Sequence, residues 1–217
     1  MASTVAGIAA EATGKPKDAF TGNGPLSNIC GWLHGYHIYA KDPSRWVSAH
    51  HFCSPLGDDM RQCLIFDSPE QGARLIGVEY MISHSIFSTL PDDEKRLWHT
   101  HNFEVKSGML VMPQPSISPT PTPAWNAVED AEMAAITKLY GKTYHLWQVD
   151  KGHGVPLGEP LLMGSYTKSE QVPPELQKEL EGRDKALGVS TAEKKERRQG
   201  IEESVARNEP AVDIAWK

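Results

Sequence analysis

Trp46-Val-Ser-Ala-His-His-Phe-Cys53 alternates side chains in the way a half-covered strand does, and it is one of four short apolar or alternating runs in the first part of the chain. The others are His37-Ile-Tyr-Ala40, Arg61-Gln-Cys-Leu-Ile-Phe66 and Ala73-Arg-Leu-Ile-Gly-Val-Glu-Tyr-Met81. Turn residues separate them, namely Asp42-Pro43, Pro55-Leu-Gly-Asp58 and Ser68-Pro69. Sequential strands joined by short turns pair antiparallel. Downstream, Ser83 to Trp98 reads as helical, with Pro91 and the acids Asp92, Asp93 and Glu94 opening a second short helix. Glu104 to Met112 reads as strand again, and the proline-rich run Pro113 to Pro123 as a stiff surface strap. Asn126 to Tyr140 spaces Val128, Met133, Ile136 and Leu139 as an amphipathic helix with Gly141 as its stop, and Tyr144 to Val149 reads as a further strand. Pro173 to Leu187 predicts a charged helix, and Ser190-Thr-Ala-Glu193 has the spacing of a capping box that opens another.

The expected fold class is α+β, an antiparallel β-sheet covered by helices with a C-terminal helical extension. Residues 1–24 are expected to be a flexible N-terminal arm, 25–170 the α+β domain, and 171–217 the extension packed on the same domain. With 217 residues, 39% of them hydrophobic, the chain is long enough to bury one sizeable core. A net charge of -6 excludes the basic footprint of a nucleic-acid binder, and no apolar run approaches the roughly 18 residues that span a membrane. Lys194-Lys195-Glu196-Arg197-Arg198 interleaves bases with an acid and reads as a solvated helix face. The N-terminus lacks a basic n-region, which implies an intracellular protein, or a secreted one if a leader was removed. Three cysteines, Cys30, Cys53 and Cys63, point to reduced thiols, with a Cys53–Cys63 pair across a hairpin as the alternative.

Chemistry concentrates in the imidazoles, because all nine histidines lie at or before His153. In Leu97-Trp-His-Thr-His-Asn-Phe-Glu-Val-Lys-Ser-Gly108, an extended chain would project His99 and His101 from one face, as two ligands of one ion must be. The third ligand would be His37, His50, His51 or His145. Alternation puts His51 with Val47, Ala49 and Cys53, and His50 with Trp46, Ser48 and Phe52. Asp58, Asp59 or Glu79 would serve as partners of a ligating imidazole. The expected cofactor is a divalent transition metal, zinc or copper. In an enzyme, Glu104 or Glu79 would act as general base on a metal-bound water. The bland alternative is hydrogen bonding within a polar core. No G-x-S-x-G elbow, P-loop or dinucleotide glycine pattern occurs.

Ala49-His-His-Phe-Cys-Ser54, Arg61-Gln-Cys63, Asp67-Ser68, Arg74-Leu-Ile-Gly-Val-Glu-Tyr80, Leu90-Pro91, Leu97-Trp-His-Thr-His101, Glu104-Val-Lys-Ser-Gly108 and Trp147-Gln-Val-Asp150 appear in an order that resembles the oil body-associated protein family, a domain of unknown function (DUF1264). The resemblance runs from about His37 to the closing Trp216-Lys217. It implies association with lipid droplets and a role in their stability, with no established reaction and no assigned catalytic residue. Positions matching the family pattern are His37, His50, His51, His99, His101 and Glu104, and these make up the candidate metal site. Droplet contact would be peripheral, through an amphipathic helix or a partner. The oligomeric state is left open.

Overall fold

The structure is a computed structural model that describes residues 24–115, 118–202 and 213. The expected arm at 1–24 lies almost wholly outside the described residues, as does most of 203–217.

Strands β1 (Gly31–Tyr39), β2 (Asp42–Pro55), β3 (Met60–Phe66) and β4 (Leu75–Ser83) form the expected antiparallel meander. The expected antiparallel sheet is, more specifically, a closed one. β4 pairs with β6 (Leu139–His145), β6 with β7 (Leu161–Gly164), and β7 returns to β1 through Ile38 and Tyr39. The result is a six-stranded antiparallel barrel. Local alternation cannot show closure, because it depends on two strands some sixty residues apart meeting edge to edge. Gly77 permits the close approach of β6, since a Cβ there would lie 2.6 Å from the Tyr144 carbonyl oxygen.

Register decides what faces inward, because side chains alternate along a strand and directly paired residues share a face. Leu33 opposes His51, His51 opposes Ile65, Ile65 opposes Gly77, and Gly77 opposes His145. One step along, Cys53 opposes Cys63, Cys63 opposes Glu79, and Glu79 opposes Thr143. Tyr39, Val47, Ala49, Ile65, Ile76 and Met163 form one apolar cluster. Leu33, Cys53, Cys63 and Met81 form another with Val105, Leu110, Met133 and Ile136. Between them lies a polar layer.

The helices are α1 (His84–Ser88), α2 (Asp92–Lys95), α3 (Asn102–Lys106), α4 (Thr122–Ile136), α5 (Pro174–Leu187) and α6 (Thr191–Arg197). Four local expectations change, the first being the strand expected over Tyr144–Val149, which is instead β6 over Leu139–His145, with Val149 opening a 3-10 turn. Glu104–Met112 is not a strand: Glu104 and Val105 lie on α3, and only Val111 makes a bridge, to His34. This segment is too short for apolar spacing to separate one helical turn from a strand, and Gly108, at φ 80°, turns the chain under α6. α4 ends at Ile136, so Gly141 sits inside β6 rather than stopping a helix. The basic run is not a solvated face either. Lys194 and Arg198 are buried against Glu129 of α4, and Arg198 also donates to the carbonyls of Val105 (3.2 Å) and Leu110 (2.7 Å). The buried acid that receives these cations, Glu129, lies some sixty residues away, where no local pattern reveals it.

Cys53 and Cys63 are joined in a disulfide, with Cα atoms 4.0 Å apart, which corrects the expectation of three reduced thiols. An odd count excludes full pairing but not one bond; Cys30 is the thiol left over. Thiol titration in denaturant without reductant is expected to count one group per chain, and a count of three would mean that the bond does not form.

Candidate metal centre

Six side chains converge inside the barrel: His37 from β1, His51 from β2, Glu79 from β4, His145 from β6, and His99 and His101 from the segment around β5 (His99–Thr100). None is more than 4% exposed. β5 is only two residues long and pairs with β6, His99 opposite Gly141 and Thr100 opposite Tyr140. Its position is fixed from outside by Asp213, whose carboxylate accepts from the Thr100 amide and hydroxyl at 2.8 Å each.

Glu79 is the hub. Its Oε1 lies 3.3 Å from His99 Nε2 and 3.5 Å from His101 Nε2, and it accepts a 3.0 Å hydrogen bond from Thr143. Its Oε2 lies 3.3 Å from His51 Nε2. His51 Nε2 is in turn 3.0 Å from His37 Nε2, and His37 Nδ1 is 3.0 Å from His145 Nε2. Two groups, His37/His51/Glu79 and Glu79/His99/His101, have the donor atoms and spacing to hold a metal ion. Glu104, on α3, stands beside the second group, with Oε1 3.9 Å from His101 Nε2 and Oε2 held by the Ser165 hydroxyl at 2.7 Å.

Burial and neighbours set the charges. Burial pushes His37 well below its ordinary pKa, and His51 and His145 add to the effect. His145 is lowered to about 3, first by burial and then by His51. Burial alone would raise the Glu79 carboxyl, but hydrogen bonds from His101, His51 and His99 outweigh it and hold the group well below the usual carboxylate range. Burial works against a charged His101, yet Glu79, Glu104 and the Leu139 carbonyl carry its pKa up to about 9. With Nδ1 donating to Leu139 at 3.0 Å, His101 Nε2 carries either a lone pair for a metal or a second proton.

Of the sequence candidates, His37, His51, His99 and His101 are brought together, and Glu104 borders them. His50 is not. It lies on the outer face, stacked on His34 with ring centroids 4.2 Å apart, and its Nδ1 accepts from Trp32 Nε1 at 3.3 Å. Parity along β2 separates the neighbours His50 and His51. His145, one of the third-ligand candidates, reaches the cluster through His37. Glu79, read only as a partner or base, is the central carboxylate; its sequence signal was an acid on the same face as Gly77 and Met81 in an otherwise apolar run. Gly141 is no helix stop but a close-packing position: a Cβ there would sit 2.4 Å from Glu79 Oε1 and 2.7 Å from His99 Nε2. Gly141→Ala is therefore expected to displace Glu79 or His99 and, if the cluster takes up an ion, to weaken that binding about tenfold. Titration calorimetry of the folded variant checks this; unchanged affinity would sink it.

The family described as "Protein of unknown function (DUF1264)" matches residues 23–202. Oil body-associated protein 1A of Zea mays is 48% identical over 178 residues, 82% of this chain and 69% of that protein. Oil body-associated protein 1B of Arabidopsis thaliana is 45% identical over 166 residues, 76% of this chain and 64% of that protein. Oil body-associated protein 2A of Zea mays is 40% identical over 183 residues, 83% of this chain and 68% of that protein. The chain thus spans about two thirds of the length of these curated relatives. No solved structure matches it.

Proposed function

This chain belongs to the DUF1264 family of oil body-associated proteins, and on that premise we propose that it is an accessory protein of the lipid-droplet surface built around a buried divalent transition-metal centre. The observation that carries the metal reading is the spacing around Glu79. Tetrahedral ligation at 2.0–2.1 Å sets ligand atoms about 3.3–3.4 Å apart, and three of the nitrogen–oxygen separations are 3.3, 3.3 and 3.5 Å. Imidazole and carboxylate donors suit zinc or copper(II). Binding is favoured over hydrolysis because a catalytic ion needs an open position that substrate can reach, whereas these ligands are packed between two apolar clusters.

Elemental analysis of protein purified without a histidine tag is expected to find zinc or copper. A chelator should lower the melting temperature, and zinc should restore it. Protein free of metal whose melting temperature ignores both would overturn the reading.

Droplet association is read as peripheral and dependent on a partner. No helix among the described residues is long and apolar enough to cross a membrane. The apolar residues of α5, Leu176 and Leu180, pack against Tyr36 and Ile38 of β1, and Met133 and Ile136 of α4 pack against the barrel. The net charge of -6 gives no attraction to anionic lipid. In flotation or sedimentation with neutral or anionic liposomes at physiological salt, the isolated protein is expected to remain unbound. Binding that survives raised salt would instead point to a detachable apolar face on α4 or α5.

A further inference from the structure

Resting on the metal reading above, we infer that the centre holds two divalent cations rather than one, bridged by the Glu79 carboxylate. The two oxygens of this carboxylate serve different groups of imidazoles. Oε2 faces His51 at 3.3 Å, and His51 Nε2 adjoins His37 Nε2 at 3.0 Å. Oε1 faces His99 and His101 at 3.3 and 3.5 Å. The donor atoms form two separate groups that share only Glu79, so four imidazoles do not converge on one point. Thr143 donates to Oε1, which leaves that oxygen one lone pair for an ion. A carboxylate used this way holds its ions about 3.5–4 Å apart.

The surroundings complete each half. In the first, the hydrogen bond between His37 Nδ1 and His145 Nε2 engages the far side of the His37 ring and turns its Nε2 to the ion. In the second, the hydrogen bond from His101 Nδ1 to the Leu139 carbonyl does the same for its Nε2. Glu104 is poised to close this half as a fourth ligand. Its Oε2 is anchored by Ser165, and its Oε1 needs only a small side-chain rotation from 3.9 Å. Gly141 leaves open the space beside Oε1 and His99 that any side chain would fill. Because, among the described residues, only the His99/His101 half has a second carboxylate at hand, it binds first and more tightly; the His37/His51 half fills second.

The test is stoichiometry on the full chain, with zinc as the probe in calorimetry and mass spectrometry under native conditions. Wild type is expected to take up two ions in two resolved steps. His51→Asn is expected to keep the tight step and lose the weak one. His99→Asn is expected to lose the tight step. Copper(II)-loaded wild type should show an electron paramagnetic resonance signal broadened or silenced by spin coupling, and His51→Asn should restore the spectrum of an isolated ion. One ion in wild type with an uncoupled copper signal would overturn the dinuclear centre and leave a mononuclear site standing. No ion at all would overturn the metal reading itself. Wild-type stoichiometry and spectrum decide the question even where a variant fails to fold.

Discussion

Glu129→Gln is expected to lower the unfolding free energy by about 3–5 kcal/mol, the cost of leaving buried charge without its partner. Glu129 is fully buried on α4. Its Oε1 accepts from the Met112 amide at 2.9 Å and pairs with Arg198 at 3.0 Å, while Oε2 pairs with Lys194 and, at 3.4 Å, with Arg197. The glutamine amide can still accept from Met112, so the variant isolates the charge. Lys194→Met is expected to cost less, because Glu129 keeps Arg197 and Arg198. Equilibrium denaturation measures both, and equal losses, or a loss under about 1 kcal/mol for Glu129→Gln, would contradict this account. α6 should become the first site of proteolysis in Glu129→Gln, since Lys194 and Arg197 tie it to α4 through Glu129.

In the presence of a chelator the protein is expected to lose roughly 5 kcal/mol of stability between pH 7 and pH 4.5 through His34 and His50 alone. His34 is lowered to about 2, first by burial and then by His50 and Arg183, and His50 to about 4, first by burial and then by His51. Both are neutral when folded and take up protons once unfolded, where histidine titrates near 6.5. A lowered histidine pKa contributes stability that is present above the unfolded value and lost as pH falls below it. Two such groups give a slope of about 2.7 kcal/mol per pH unit below pH 5.5. His101, raised to about 9, has the opposite sign: its contribution is complete below 6.5 and fades as pH rises toward 9. Stability should therefore peak near neutrality. Urea melts across this range test the slope, and His50→Phe, which keeps a ring against His34, should reduce it by one proton. A flat profile from pH 7 to 4.5 would show that these imidazoles charge freely in the folded chain.

The sequence made the strands legible wherever one face of a strand is apolar. β1 to β4 follow from alternation and intervening turns, and the parity that puts His51 with Val47 and Ala49 also puts it inside. The same parity argued against grouping His50 with His51, although both stood as candidate ligands. His99 and His101 do share a pocket, but not because they lie on a long strand: β5 has two residues, and Asp213 and Gly141 set its position. Barrel closure, the central role of Glu79 and the burial of Lys194 and Arg198 escaped because each depends on partners distant in sequence. Charge patterning reads a helix as exposed unless an acid on another element is known to receive its cations. The disulfide was visible as an alternative, since two cysteines flank a turn, but only register places Cys53 opposite Cys63.

Closure of the barrel also governs how copies of this chain behave when crowded together. Among the described residues each of the six barrel strands has a neighbour on both sides, so less free strand edge is left on which a second molecule could add a strand than an open sheet would offer. On a surface that concentrates protein in two dimensions, an open sheet of this length would invite stacking into fibrils. A ring of strands permits dense coverage while leaving association to side chains, where it remains reversible.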